Sequence, residues 1–457
     1  MIVLSTINKA RAMKLLVIYS LAKGKDRKTI IDNLRGIKNN FCGEVIMLNS
    51  YNPVPVSIYN TKFDIILYHY TFLSHKYEGE SSFRRYTDFS KKINFLGRVK
   101  AIAPQDEYVH ADFICNFIRE NEIDLIYTCF YEQDWEKVYP RKLIGSAKLR
   151  TVLTGYFDDY MLEESKQFSK KHSARALDIM YRARKVPYWI GRHGLIKWQL
   201  TDAFLSYLKN SELKYSLSNN DKDVFLGLEW TKFLGSSRVV LGCEGGASLF
   251  DFDGRIRKNV DVYVDKNPDA TFDETEKSCF LGLDYNISLF ALSPRHIEAC
   301  LTKTCQVLVE GKYHGLLKPN IHYIELKKDF SNIATVIELL KNRDYCEAIA
   351  EAAYSAIVNN PEAHFRHYMT DLFNDAQAII DDSSAHSSND LWLKNLEFEL
   401  ILIDFRFRIS SFIHVNLRNP LIKFFDHIGL LSQVRLALNN LRSARSKLMG
   451  KLNQSDS

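Results

Sequence analysis

No Cys-x-x-Cys pair occurs among the eight cysteines, Cys42, Cys115, Cys129, Cys243, Cys279, Cys300, Cys305 and Cys346. They are scattered, mostly within apolar segments. That spacing argues against a zinc ribbon or a dithiol redox centre, and buried reduced thiols fit the cytoplasm. No apolar run approaches the roughly 20 residues a membrane-crossing helix needs. A secretory leader is not expected either, because the short apolar run near Met13 meets lysines and no small-residue cleavage site. Residues 1–12 read as a frayed leader, or Met13 as the true start. No Gly-x-Gly-x-x-Gly follows the first apolar run, where Leu21-Ala22-Lys23-Gly24 stands instead, so a dinucleotide fingerprint is missing from the first half. Internal repeats are absent too.

What is present is the composition of a globular protein, 46% hydrophobic and 25% charged over 457 residues. That length suggests about two to three domains. The formal charge is +6, and nine Lys or Arg against two Asp lie between Phe405 and Ser457. The rest of the chain is therefore near neutral, which argues against a nucleic-acid groove across the main body.

Apolar runs of strand length alternate with amphipathic stretches of helical period. Strands are expected at 14–19, 44–48, 63–68, 99–103 and 124–129, with helices at 26–39, 81–95 and 109–121. Residues 134–150 read as a connection. A second series follows, with strands at 177–181, 239–243, 288–292 and 306–309 and helices near 197–208, 231–234, 296–301 and 334–340. Strands alternating with helices at this spacing indicate parallel, doubly wound sheets. The fold class is therefore α/β: two tandem Rossmann-like domains with a helical C-terminal appendage. The expected boundaries are 13–150, 151–380, a low-complexity linker at 381–390 and a basic amphipathic tail at 391–457.

Three segments carry candidate chemistry. Residues 293–300 read Ser-Pro-Arg-His-Ile-Glu-Ala-Cys, with Arg295 and Glu298 at the start of a helix, followed by the apolar run to Val309, then Glu310, Gly311 and Tyr313, and His322-Tyr323. Helix N-termini at the carboxyl edge of a parallel sheet are where phosphates and riboses bind. Residues 178–192 run Asp-Ile-Met-Tyr-Arg-Ala-Arg-Lys-Val-Pro-Tyr-Trp-Ile-Gly-Arg, which puts Arg182 and Arg184 at a strand end, with Lys197 soon after. Residues 243–254 place Gly245, Gly246 and Ser248 after a buried strand, with Asp251 beyond. Two glycines and a serine there make a tight turn whose N–H groups can face a phosphate, though such turns also serve plain helix–strand packing.

In order and residue type these segments resemble group 1-like glycosyltransferases of the GT-B fold. Their second half carries an Arg-x-x-Glu-Ala helix, a strand and a His-Tyr segment. The resemblance covers residues 177–354 well and the first half loosely. One departure is Thr302-Lys303-Thr304, where relatives often have a glycine. The resemblance implies a nucleotide-sugar donor as co-substrate, no separate cofactor, and a sugar transferred to a glycan or lipid-linked acceptor, with retention and without a metal. It makes Glu298 the ribose-binding carboxylate, since a carboxylate accepts two hydrogen bonds from a vicinal diol. It makes Arg295 a nucleotide or phosphate contact. Arg182 and Arg184 would meet the diphosphate, where the alternative is solvated charge beside a proline turn. Gly245, Gly246, Ser248 and Asp251 would face the substrate, with Asp251 holding sugar hydroxyls or only bracing the loop. Glu310 and Tyr313 would close over sugar or base, and His322 and Tyr323 are structural.

In the first half, His69, Tyr70, Asp106, Glu107 and Tyr108 follow expected strands. Asp106 or Glu107 is the candidate to orient or deprotonate an acceptor hydroxyl, and an Asp-Glu pair after a strand is also an ordinary helix cap. The paired carboxylates at Asp158-Asp159 and at Asp251 and Asp253 are not expected to hold a metal. The basic, Leu-rich tail is a candidate to lie on an anionic inner membrane surface, pair with a second copy of the chain, or pack on its own protein. Two functions follow: a glycosyltransferase of surface-glycan assembly, or a catalytically silent module of that type that binds partners in a glycan-assembly complex.

Overall fold

The apolar runs of the first 151 residues form one sheet in a computed structural model of the chain, which describes residues 13–22, 27–225, 227–380 and 390–413. Its strands are β1 (Met13–Tyr19), β2 (Gly43–Asn49), β3 (Phe63–His69), β4 (Gly97–Ala103), β5 (Leu125–Thr128) and β6 (Lys148–Thr151). They lie in the order β2-β1-β3-β4-β5-β6, and every pair is parallel. Parallel strands buried on both faces need continuous apolar runs. Leu15, Leu16, Val17 and Ile18 accordingly show no exposed surface, and each such side chain contributes about 1.5–3 kcal/mol of burial. The segment expected as a connection, 134–150, in fact holds two short helices and the start of the sixth strand. Its Lys-Leu-Arg-Thr run lies at the sheet edge and is too polar to read as a strand.

The second sheet contains β7 (Leu177–Arg182), β8 (Tyr215–Ser218), β9 (Ser237–Gly242), β12 (Cys305–Val309) and β13 (Ile324–Leu326). It is also parallel throughout, in the order β13-β12-β9-β7-β8. The expectation of two tandem doubly wound units is met. Between these strands, β10 (Gly245–Ala247) and β11 (Leu289–Ala291) form a separate antiparallel ribbon. The expected strand at 288–292 therefore exists but belongs to that ribbon and not to the parallel sheet.

The last helix of this region, Phe365–Gln377, returns to the first sheet. Gly36, on the helix Lys28–Asn40, has no room for a Cβ because the Phe365 ring occupies that place. Asp375 on the returning helix accepts from Tyr127 at 2.9 Å and from Arg150 at 2.7 and 2.5 Å. One hydrophobic cluster runs from Leu15 and Leu67 through Ile297 and Leu301 to Tyr368 and Leu372, so the core is shared between the halves. Both sheets lie in one compact unit. A second unit comprises Asn52–Ile58 and the chain from Asp390 onward. Besides Asn52–Ile58, its described part is the helix Asp390–Ile413, where Glu399 accepts from the Ser57 N–H at 3.2 Å and its hydroxyl at 2.9 Å. Among the described residues no helix is long and apolar enough to cross a membrane. The leader at 1–12, most of the linker and the basic tail beyond residue 413 lie outside the described residues.

Candidate functional site

In an open parallel sheet, ligands bind beyond the carboxyl ends of the strands where the strand order reverses. In the second sheet β7 has β8 on one side and β9 on the other, so the reversal falls between the ends of β7 and β9. A cavity of about 300 Å³ opens there. Four cations line it, Arg182, Arg184, Lys197 and Arg295, and among the described residues no carboxylate does. Beside it a cleft of about 580 Å³ separates this edge from that of the first sheet. Ser20, Tyr70, Gln105 and Asp106 form one wall, and Arg182, Arg184, Trp230, Arg295 and Glu298 the other.

The four cations differ in what they have left to give. Arg182 closes the end of β7: it donates to Asp223 O at 3.1 Å, Tyr181 O and Ser216 O at 2.8 Å, and Ser216 Oγ at 2.9 Å. Its guanidinium also lies 4.6 Å from the Phe233 ring centre, and burial holds its pKa below the usual arginine value. Its hydrogen-bonding donors are largely spent on the protein, so it supplies charge to the cavity more than contacts. Arg184 is half exposed and pairs through Nε with Asp221 at 3.2 Å. Arg295 lies 4.8 Å above the Trp230 ring and donates through Nη1 to Arg182 O at 2.7 Å. Lys197, on the helix Arg192–Leu208, is half-buried and has no carboxylate partner among the described residues. Arg192 is turned to Asp273 and Glu276 at 2.9 and 2.8 Å and does not line the cavity.

Ser293 caps the helix Pro294–Leu301, accepting from Arg295 N at 3.4 Å, and Pro294 in the first position carries no N–H. This helix end therefore has few free amide donors, and side-chain cations supply most of the positive charge. On its next turn Glu298 is half-buried and faces the cleft. One oxygen accepts the Trp230 Nε1–H at 2.7 Å, and the other has no hydrogen-bond partner among the described residues. Burial pushes the Glu298 pKa up, while Trp230 and Arg295 pull it down. Trp230 was not anticipated; an aromatic at the start of a short helix looks like ordinary core. The cavity floor is His296, buried between Gln306 Oε1 and Cys243 O at 3.1 Å each, and burial lowers its pKa to about 4. The ring holds the end of β9 in place.

The glycine segment differs from expectation. Gly245 lines the cavity, but Gly246 sits at φ +100 inside the β10–β11 ribbon, where a Cβ would run into the Leu289 carbonyl. Ser248 is fully buried: its Oγ accepts from His193 N at 3.1 Å and donates to Asp284 at 2.7 Å. Asp251 is buried too, accepting from Arg257 N at 2.7 Å at the start of the helix Arg255–Lys266. Its backbone exchanges bonds with Tyr108 O and His110 N at 2.8 and 3.1 Å. Gly246, Ser248 and Asp251 thus brace the loop. Tyr313 is core as well, edge-on to His296 and tilted against Tyr323, with its hydroxyl on Val309 O at 2.5 Å. Glu310 is half-buried at the end of β12 and lines neither the cavity nor the cleft.

Of the acidic pair in the first half, Glu107 is 1% exposed. Its carboxylate accepts from Thr128 Oγ1 at 2.5 Å, Cys129 N at 2.9 Å and the Tyr139 hydroxyl. It is therefore a buried structural acid and not an acceptor-facing base. His69 is likewise buried between Thr71 and Asn33. Asp106 is exposed to the cleft, with a left-handed φ of +53. Buried Lys76 fixes this turn by donating to Asp106 O at 2.7 Å and Val109 O at 3.0 Å. Asp158 caps the helix Asp159–Phe168. Among the described residues no group of three or more His, Cys, Asp or Glu converges to hold a metal.

No protein-family model matches the chain, and no curated protein does. Among solved structures, an alpha-glucosyltransferase in complex with UDP and a 13-mer DNA is similar over 80% of this chain and 100% of its own, at 10% identity and a TM-score of 0.49. Anabaena HepE in complex with UDP-glucose is similar over 79% of this chain and 99% of its own, at 12% identity and a TM-score of 0.40. TarM is similar over 70% of this chain and 57% of its own, at 13% identity and a TM-score of 0.41.

Proposed function

We propose that the chain is a glycosyltransferase that moves a sugar from a nucleotide-sugar donor to a glycan or lipid-linked acceptor, with retention and without a metal. One observation carries this reading: among the described residues four cations and no carboxylate line a cavity at the strand-order reversal of the second sheet, open to a cleft that Asp106 faces. Breaking the anomeric C–O bond leaves negative charge on the departing diphosphate, which fixed positive charge in a shielded site stabilises. In this reading Arg295, Arg184 and Lys197 contact the diphosphate, while Arg182 adds charge and holds the strand end. The other oxygen of Glu298 accepts from ribose hydroxyls, with Trp230 fixing the carboxylate. Asp106 orients the acceptor hydroxyl across the cleft. The motif resemblance over residues 177–354 supports the donor class. It also supports an acceptor in surface-glycan assembly.

The test is a thermal-shift screen against UDP-, GDP- and CMP-linked sugars with a chelator present, followed by product analysis for the donor that binds. A stabilising donor that is also consumed is the expected result. Binding without consumption under any acceptor favours the silent binding module. Absence of any stabilising nucleotide removes the proposal.

A further inference from the structure

The opposite edge of the second sheet carries a depression of about 640 Å³. It is lined where the chain enters β7 and β12, by Arg175 and Lys303, and by the helix Arg343–Val358. The strands run about 3.3 Å per residue, so the depression lies about 20 Å from the cation cavity. Its composition is mixed in a particular way. Lys166, Lys170, Lys171 and Lys303 supply ammonium groups, while Glu347, Glu351 and Tyr354 stand at helical spacing on one face of the helix. Lys303 is held 2.8 Å from Glu351 and 4.6 Å from the Tyr354 ring centre. Lys170 and Lys171 are exposed and hold no carboxylate among the described residues.

The loop bearing those two lysines is fixed from below. Arg175, buried, donates to Lys170 O at 2.9 Å, Ser237 O at 2.7 Å, Thr304 Oγ1 at 2.8 Å and Thr302 O at 2.8 Å. His172 also lines the depression and is 3% exposed. Its Nε2 lies 3.0 Å from Lys303 O, and a carbonyl only accepts, so Nε2 carries the proton. Nδ1 is then a buried acceptor with no partner among the described residues, a costly arrangement unless a donor meets it.

We propose that this depression binds an acidic oligosaccharide, a chain of sugars bearing carboxylate groups. Lys170 and Lys171 pair with the acid groups. Glu347, Glu351 and His172 Nδ1 accept from sugar hydroxyls, and Tyr354 offers a ring to a sugar face. A bare phosphate or a lipid headgroup uses only the lysines, whereas a sugar chain also brings hydroxyls for Glu347, Glu351 and His172 Nδ1 to accept. The site does not rest on the transfer reading, because none of its residues belongs to the cleft.

Calorimetric titration of the full chain with oligogalacturonate, with neutral maltooligosaccharide and with inorganic polyphosphate tests it. Oligogalacturonate binds, maltooligosaccharide does not, and polyphosphate binds at least tenfold more weakly. The exposed pair Lys170→Glu/Lys171→Glu lowers oligogalacturonate affinity at least tenfold with an unchanged melting temperature, and His172→Phe lowers it severalfold. Failure of oligogalacturonate to bind, or unchanged affinity in the charge-reversed pair, overturns the proposal. So does polyphosphate binding as tightly as oligogalacturonate, which would make this a solvated basic face.

Discussion

Along the carboxyl edge of the first sheet the ionisable residues are mostly consumed within the protein, while along that of the second four cations line one cavity. Glu107 follows a strand of the first sheet and His69 ends one, yet both are 1% exposed and fully hydrogen-bonded. Asp106 alone of that acidic pair reaches the cleft. At the second edge Arg184, Lys197 and Arg295 keep exposed or half-buried heads around a single space. A charge at a strand end is thus no guide to function until its partners are known. Burial with full hydrogen bonding marks scaffold; partial exposure beside like charges marks a site that a counter-charged ligand would stabilise.

The largest effect that could break this contrast is at Asp106. Asparagine tolerates the left-handed backbone, so Asp106→Asn tests the charge and not the turn. Turnover should fall about 10²-fold or more, the scale of a lost acid–base group, with donor affinity unchanged. Full turnover would leave the first edge without a reactive group. At Glu107 the effect should appear in stability instead. Glu107→Leu removes the acceptor of the Cys129 N–H and of the Thr128 and Tyr139 hydroxyls, and a buried unsatisfied donor costs about 1–3 kcal/mol. Denaturant unfolding should show that loss while nucleotide affinity stays the same; altered affinity at constant stability would return Glu107 to the site. A smaller change sharpens the second edge. In Glu298→Gln the amide oxygen still receives the Trp230 N–H, so the fold persists, and nucleotide affinity should weaken by about 1–3 kcal/mol. Unchanged affinity by calorimetry would separate Glu298 from the ribose.

Much of the fold could be read from hydropathy alone, because buried parallel strands such as β1, β3 and β12 are near-continuous apolar runs. The strands that escaped are short or polar: β6 reads Lys-Leu-Arg-Thr and β8 reads Tyr-Ser-Leu-Ser, both at sheet edges. The return of the helix Phe365–Gln377 to the first sheet left no local trace, since its partners Gly36 and Tyr127 lie more than two hundred residues away.

The site was legible where residue type and position agree. Arg184, Arg295 and Glu298 stand at a strand end or a helix start and do line the cavity or the cleft. It was misread where burial decides. Ser248 is consumed by Asp284 and His193, Gly246 by the ribbon with Leu289, and Tyr313 by the core. None of these partners is adjacent in sequence, so a motif that reads as substrate-facing can be framework.

The central claim is that the second edge binds a nucleoside diphosphate through protein cations. Titration of UDP, GDP and CDP into the wild-type chain and into Lys197→Ala/Arg295→Ala, in the presence of EDTA, tests it directly. Each lost charged hydrogen bond is worth about 1.5–3 kcal/mol. One of the three should bind the wild type without metal, and the double variant should bind it at least tenfold more weakly while still unfolding cooperatively. Equal affinity in the two proteins, or no binding by the wild type, would contradict the account.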